Sequence, residues 1–162
     1  MPAVNVLVIG AGMYVCGRGT SSFGTVLPTL AQAKAQGLVD NIFVASTSRN
    51  SINTLQGLLS GLNEVMGLET TVVGYPQQDQ DSYAYQKALK ELPKPACAII
   101  VTPDHTHSSI AADVIRAGVH PLVVKPLTPT LEEANQLVEI AEANDIHGAV
   151  EFHKRFDESN LL

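Results

Sequence analysis

The 162-residue sequence contains no tryptophan, and tyrosine and phenylalanine occur only 4 times each. So few flat rings leave little on which nucleobases could stack, which argues against a single-stranded nucleic-acid surface. Cations are scarce too: 10 Lys and Arg stand against 16 Asp and Glu, a net charge of -6. Nucleic acids and anionic membranes both call for clustered Lys and Arg, so neither is expected as a partner. The 2 cysteines, Cys16 and Cys97, are too few for a disulfide framework and follow no metal spacing. They read as reduced thiols of a cytoplasmic protein. No apolar run is long enough to span a bilayer, and Val4–Ile9 is too short for a leader and passes straight into glycines. Neither internal repeats nor low-complexity tracts stand out.

The residues that are present suit one domain with a sizeable core, since 45% of them are hydrophobic. Short apolar strands are predicted at Val4–Ile9, Ile42–Ala45, Thr70–Gly74, Ala96–Val101, Pro121–Val124 and Ile146–Phe152. Helical spacing falls between them: Leu27 to Gly37, with Pro28 in the first turn; Ile52 to Val65; Asp81 to Leu92; Ile110 to Gly118; and Thr130 to Asn144. Thr130 and Glu133 form a capping box at the start of the last of these. Strands buried on both faces and alternating with helices predict a doubly wound parallel α/β sheet, order 3-2-1-4-5-6, with helices on both sides. Ligands of such sheets bind beyond the carboxyl ends of the strands, where the strand order reverses.

Three corners lie on that edge. The first is glycine-rich: Gly10-Ala11-Gly12 directly follows the first strand, as a diphosphate-binding turn requires, and the backbone of Gly10, Gly12 and Met13 is expected to face the anion. The third glycine of G-x-G-x-x-G is absent, since Val15 occupies its place. Gly17, Gly19 and Gly24 come later, which reads as an expanded loop. Arg18 within it either pairs with a phosphate or is simply solvated. Tyr14 and Cys16 also lie there; Cys16 has no neighbouring base in sequence to make it a nucleophile.

At the second corner the chain reads Ser46-Thr47-Ser48-Arg49-Asn50. NAD recognition normally places a carboxylate at this point, for the ribose 2′-hydroxyl, and none is present. Ser46, Thr47, Ser48 and Arg49 read as a cradle for a 2′-phosphate, which favours NADP over NAD. The alternative is that Ser48 or Asn50 only caps the next helix.

The third corner combines Thr102-Pro103-Asp104-x-x-His107, after the fourth strand, with Lys125-Pro126, after the fifth. Asp104 either accepts from a ribose hydroxyl or serves a helix N-terminus. His105, His107 and His120 match no zinc spacing, so no metal is expected.

Taken together, Gly10-x-Gly12, Thr102-Pro103-Asp104-x-x-His107, Lys125-Pro126-Leu127-Thr128-x-Thr130-Leu131-Glu132-Glu133-Ala134 and Arg155-Phe156-Asp157 resemble the Gfo/Idh/MocA oxidoreductases, the glucose–fructose oxidoreductase and inositol dehydrogenase relatives. The resemblance covers the whole chain. It implies an NAD(P)-dependent oxidoreductase that exchanges hydride with a sugar, cyclitol or related polyol. It implies Lys125 as the catalytic residue, bonded to the substrate hydroxyl and the nicotinamide ribose. It implies His107 as a cofactor-side residue, in either a structural or a catalytic role. His153 and Arg155 become substrate-side candidates, or a bridge between domains. Two departures stand out: Val124 where the family often has Glu, and the longer glycine loop. Family members carry a second α/β domain, mostly an open antiparallel sheet, that completes the substrate pocket and commonly the oligomer interface. By this reading residues 1–152 are the cofactor-binding domain, and residues 153–162 begin the passage toward a second domain absent from the chain. Asp157 would cap a helix just starting. A homo-oligomer in the longer form is implied. The alternative is a non-catalytic, stand-alone dinucleotide-binding module or partner subunit.

Overall fold

The computed structural model describes residues 2–161. Strands β1 (Val4–Ile9), β2 (Val39–Ala45), β3 (Val73–Tyr75), β4 (Ala96–Ile100), β5 (His120–Val124) and β6 (Ala149–Glu151) form one sheet in the order β3-β2-β1-β4-β5-β6. Every pair is parallel. This is the doubly wound α/β architecture the alternating pattern predicts. Helices α1 (Met13–Cys16), α2 (Val26–Ala35) and α3 (Arg49–Met66) belong to one half of the chain; α4 (Ala84–Glu91), α5 (His107–Arg116) and α6 (Leu131–Ala143) belong to the other.

The period of two along β1 builds two separate cores. Val6 and Val8 join Val15, Leu27, Leu30, Ile52, Leu55, Leu59 and Leu62 beneath α1–α3. Leu7 and Ile9 join Ala88, Ile110, Val114 and Leu137 beneath α4–α6. A strand with apolar side chains on both faces can lie only in the middle of such a sheet, and β1 does.

Helix ends follow local chemistry. Ser48 caps α3 by accepting from the Ser51 N–H, and α3 ends at Gly67 in the left-handed region, φ +65°. The capping box of α6 is complete, Thr130 and Glu133 bonding reciprocally. Pro28 is the third residue of α2, inside the turn whose N–H groups need no helical partner.

Some boundaries differ from the sequence expectation. β2 starts at Val39 rather than Ile42, because Val39 is buried and pairs with Val4 across an irregularity in register. β3 begins later than Thr70 and reaches Tyr75. α4 starts at Ala84, since the Asp81 carboxylate takes the Tyr83 N–H in a turn before the helix. β6 is shorter than Ile146–Phe152, because the Ile146 N–H closes α6 on the Ala141 carbonyl. The one-turn α1, inside the glycine loop, is too short to show in the periodicity. Asp157 does cap, through the Ser159 N–H, but the element it opens is a single 3-10 turn, Glu158–Asn160. Leu162, the last residue of the expected passage, lies outside the described residues.

Two buried tyrosines tie the second half together. Tyr75 on β3 donates to Glu91 of α4, and Tyr85 on α4 donates to Asp113 of α5 at 2.7 Å. Burial, then the carboxylate each one faces, pushes both phenols up to about 12. In the unfolded chain they ionise near pH ~10. The neutral phenols therefore favour the fold fully below that value, and the contribution is lost as pH rises toward 12. The urea midpoint is expected to fall across this alkaline window, and less steeply in Tyr85→Phe; an equal fall in both proteins would show that Tyr85 contributes nothing to it.

Candidate functional site

The carboxyl edge of the sheet is shaped first by Gly10. Sheet bonding continues past β1 through Gly10 N–H to Ala45 O and Val101 N–H to Ile9 O, both 2.8 Å. At φ +124° a Cβ on Gly10 would stand 2.1 Å from the Val101 carbonyl oxygen. No side chain fits there. Gly12 is different: its φ is an ordinary -90°, and a Cβ would meet nothing within 4 Å. The space above its backbone is open.

After α1 the chain makes an excursion before α2 begins. It turns at Gly17, φ +74°, and returns at Gly24, φ +72°, whose Cβ position is 2.7 Å from the Cys16 nitrogen. The Thr25 N–H then donates to the Tyr14 carbonyl at 2.8 Å, rejoining the helical path. Cys16 is wholly buried, and burial raises its thiol above the ordinary value. It is in no position to act as a nucleophile.

A cavity of about 280 Å³ opens between the ends of β1, β2 and β4, at the reversal of strand order. Of the residues named from sequence, Gly10, Gly12, Ser46, Thr47, Thr102 and Pro103 line it. Its remaining polar lining includes Arg18, Ser51, Ser82 and Tyr85. Among the described residues Arg18 is the only charged group in the lining, and no carboxylate contributes. Sequence reasoning left Arg18 undecided because the path of an expanded loop cannot be read from spacing. Ser51 carried a faint signal, as the third residue of a capped helix.

The other named residues stand around the cavity rather than in its wall. Met13 is exposed on α1. Ser48 is the α3 cap. Arg49 gives its N–H to the Asp79 carbonyl at 2.8 Å, and its side chain is not in the lining. Asp104 is exposed in a 3-10 turn. His107 has no exposed surface; Nδ1 lies 2.7 Å from the Pro126 carbonyl and Nε2 lies 2.8 Å from that of Thr102. It is a strut between the corner after β4 and the corner after β5, placed behind the cavity. Lys125 leaves the end of β5 exposed, with no hydrogen bond or ion pair to its ammonium among the described residues. His153 lies against Glu151 at 2.8 Å and reaches the Tyr14 hydroxyl at 3.4 Å, while Arg155 stacks on Phe152 at 4.8 Å. The Tyr14 contact, which sequence did not suggest, joins the segment after β6 to the glycine loop. No group of three or more His, Cys, Asp and Glu suited to a metal occurs among the described residues.

Residues 4–152 match the family described as an oxidoreductase family with an NAD-binding Rossmann fold. The chain belongs to the Gfo/Idh/MocA oxidoreductase family. An uncharacterized oxidoreductase of Schizosaccharomyces pombe is 37% identical over 59 residues, 36% of this chain and 16% of that protein. The UDP-N-acetylglucosamine 3-dehydrogenase of Acidithiobacillus ferrooxidans is 41% identical over 56 residues, 35% of this chain and 18% of that protein. A solved structure of that dehydrogenase matches with TM-score 0.57 at 23% identity, over 99% of this chain and 42% of that one. A 3-ketoreductase from Actinomadura kijaniata, solved with TDP-benzene and NADP, matches with TM-score 0.65 at 21% identity, over 98% and 37%. At these identities the solved structures show the shared fold. This chain thus spans well under half of the solved chains it resembles. Among the described residues no helix is long and apolar enough to cross a membrane.

The two glycines of the first corner make opposite demands. Gly10→Ala is expected to destabilise the protein, because both its φ and its clash with Val101 oppose a side chain. Gly12→Val is expected to keep the ligand-free melting temperature within a few degrees while abolishing any rise on adding NADP. Retention of that rise would show that the open space is not where the diphosphate lies.

Proposed function

We propose that this chain is the cofactor-binding part of an oxidoreductase that takes NADP in preference to NAD and acts on a secondary alcohol of a sugar, cyclitol or related polyol. One observation carries the reading: a cavity at the reversal of strand order, floored by Gly10 and open above Gly12, whose polar wall offers hydroxyls and one guanidinium but no carboxylate. A dinucleotide fits this donor set. The Gly12 backbone can approach a diphosphate closely because nothing stands above it. Ser46 and Thr47 at the end of β2 are donors for the sugar-phosphate end. Thr102 and Pro103 form the wall after β4, held in place by the buried His107 strut.

The nicotinamide, when bound, supplies hydride exchange with a carbinol carbon. Lys125 is the residue to which we assign the catalytic role. An ammonium at the end of β5, without an ion-pair partner of its own among the described residues, can donate to a substrate hydroxyl and stabilise negative charge growing on that oxygen. His153, fixed by Glu151, and Arg155 stand on the substrate side. The relative named as a UDP-N-acetylglucosamine 3-dehydrogenase supports a polyhydroxylated substrate class.

Binding to the native state must raise the melting temperature, with about 2.7 kcal/mol of stabilisation at a ligand concentration 100 times Kd. Thermal melts with NADP and with NAD are expected to shift upward, NADP more. No shift with either nucleotide overturns the reading. In a form of the protein that carries the second domain, with NADP reduction followed over a panel of polyols, Lys125→Ala is expected to lower turnover by about 10²–10³-fold with little change in NADP affinity. Unchanged turnover rejects the lysine's role, and nucleotide binding without turnover on any polyol in that two-domain form favours the non-catalytic module.

A further inference from the structure

We propose that Arg18, carried by the excursion after α1 rather than by β2, is the residue that selects NADP over NAD. This assignment rests on the nucleotide-binding reading above. Nη1 of Arg18 donates to Ser51 Oγ at 2.9 Å. Ser51 is itself buried, 6% exposed, and its Oγ lies 3.0 Å from Ser48 Oγ at the start of α3. The guanidinium is thereby held beside the end of β2, in the same cavity wall as Ser46 and Thr47. That is where the adenosine ribose lies in a dinucleotide bound at the reversal of strand order.

A guanidinium carries five N–H donors in a planar fork, and the Ser51 contact uses one. The rest suit a phosphate dianion, which accepts in pairs, better than a ribose hydroxyl. NAD selection would call for a carboxylate. Asp79 and Asp81 lie in the segment whose backbone bonds to Arg49 and Thr47. Asp81 has its carboxylate on the Tyr83 N–H, and neither residue lines the cavity. Arg49, which the sequence offered for this task, is not in the lining either.

Isothermal titration of the protein with NADP and NAD, and with 2′,5′-ADP as a probe of the phosphate alone, tests the assignment in wild type, R18Q and R49Q. Losing hydrogen bonds to a charged group is expected to weaken NADP and 2′,5′-ADP by about 10–100-fold in R18Q, with NAD changed less than about threefold. R49Q is expected to bind all three like wild type. If R18Q does not fold, R18K, which keeps the charge but not the fork, is expected to lose at least about fivefold in NADP alone. Equal losses for NADP and NAD in R18Q would place Arg18 on the diphosphate and overturn the proposal. So would loss of the preference in R49Q instead. Wild-type protein that binds NAD as well as NADP overturns the selection by Arg18 but not the nucleotide site; wild-type protein that binds neither overturns both.

Discussion

The close approach of two backbones governs this molecule's ligand-facing edge. Gly10 passes so near the Val101 carbonyl that a methyl group could not be inserted between them. That contact lets β1 and β4 run side by side to their very ends, while the chain after β1 turns one way and the chain after β4 the other. The cavity is the gap this divergence leaves. The strand ends in its wall are positioned by the parallel register of these strands, and the register is held by two cores filled from opposite faces of β1.

Around that gap the protein separates supporting groups from exposed ones. His107 is sunk without any contact with solvent and spans the two corners through their carbonyls. Ser48 and Ser51 do similar work at the end of β2. Among the groups that reach outward are the cations Arg18 on one side and Lys125 on the other, with Asp104 exposed at the corner between. The distribution suits a charged ligand lying across the edge, since the buried groups are spent on backbone and on each other while the cations keep donors free.

Much of this is legible in the sequence alone. Two-sided apolar strands and capped helices are local patterns, and β1, the α6 cap and the sheet order follow from them. Gly10 is legible because only one residue type tolerates that turn. The misreadings share a cause. Val39, Tyr75 and Ile146 belong to elements whose limits depend on which neighbour is within reach, and single-chain periodicity does not report that. Arg49 draws attention because it adjoins β2 in sequence, whereas Arg18 reaches the same place through space along an irregular path. His107 stands out for its motif, but its burial, which makes it a strut, comes from the packing of α5 against the sheet.

The excursion between Gly17 and Gly24 leaves and re-enters the fold at almost one point, sealed by the Gly24 contact with Cys16 and the Thr25–Tyr14 bond. Its base is therefore rigid while its tip is thermodynamically cheap to change, because closure entropy grows only logarithmically, about 0.6 kcal/mol for each doubling of length. Residues 19–21 can be lengthened or rewritten at little cost, whereas Ser22 lies against Gly17 and Phe23 packs on the core. Arg18, which lines the cavity, thus sits where a fixed base meets a tip that is open to redesign.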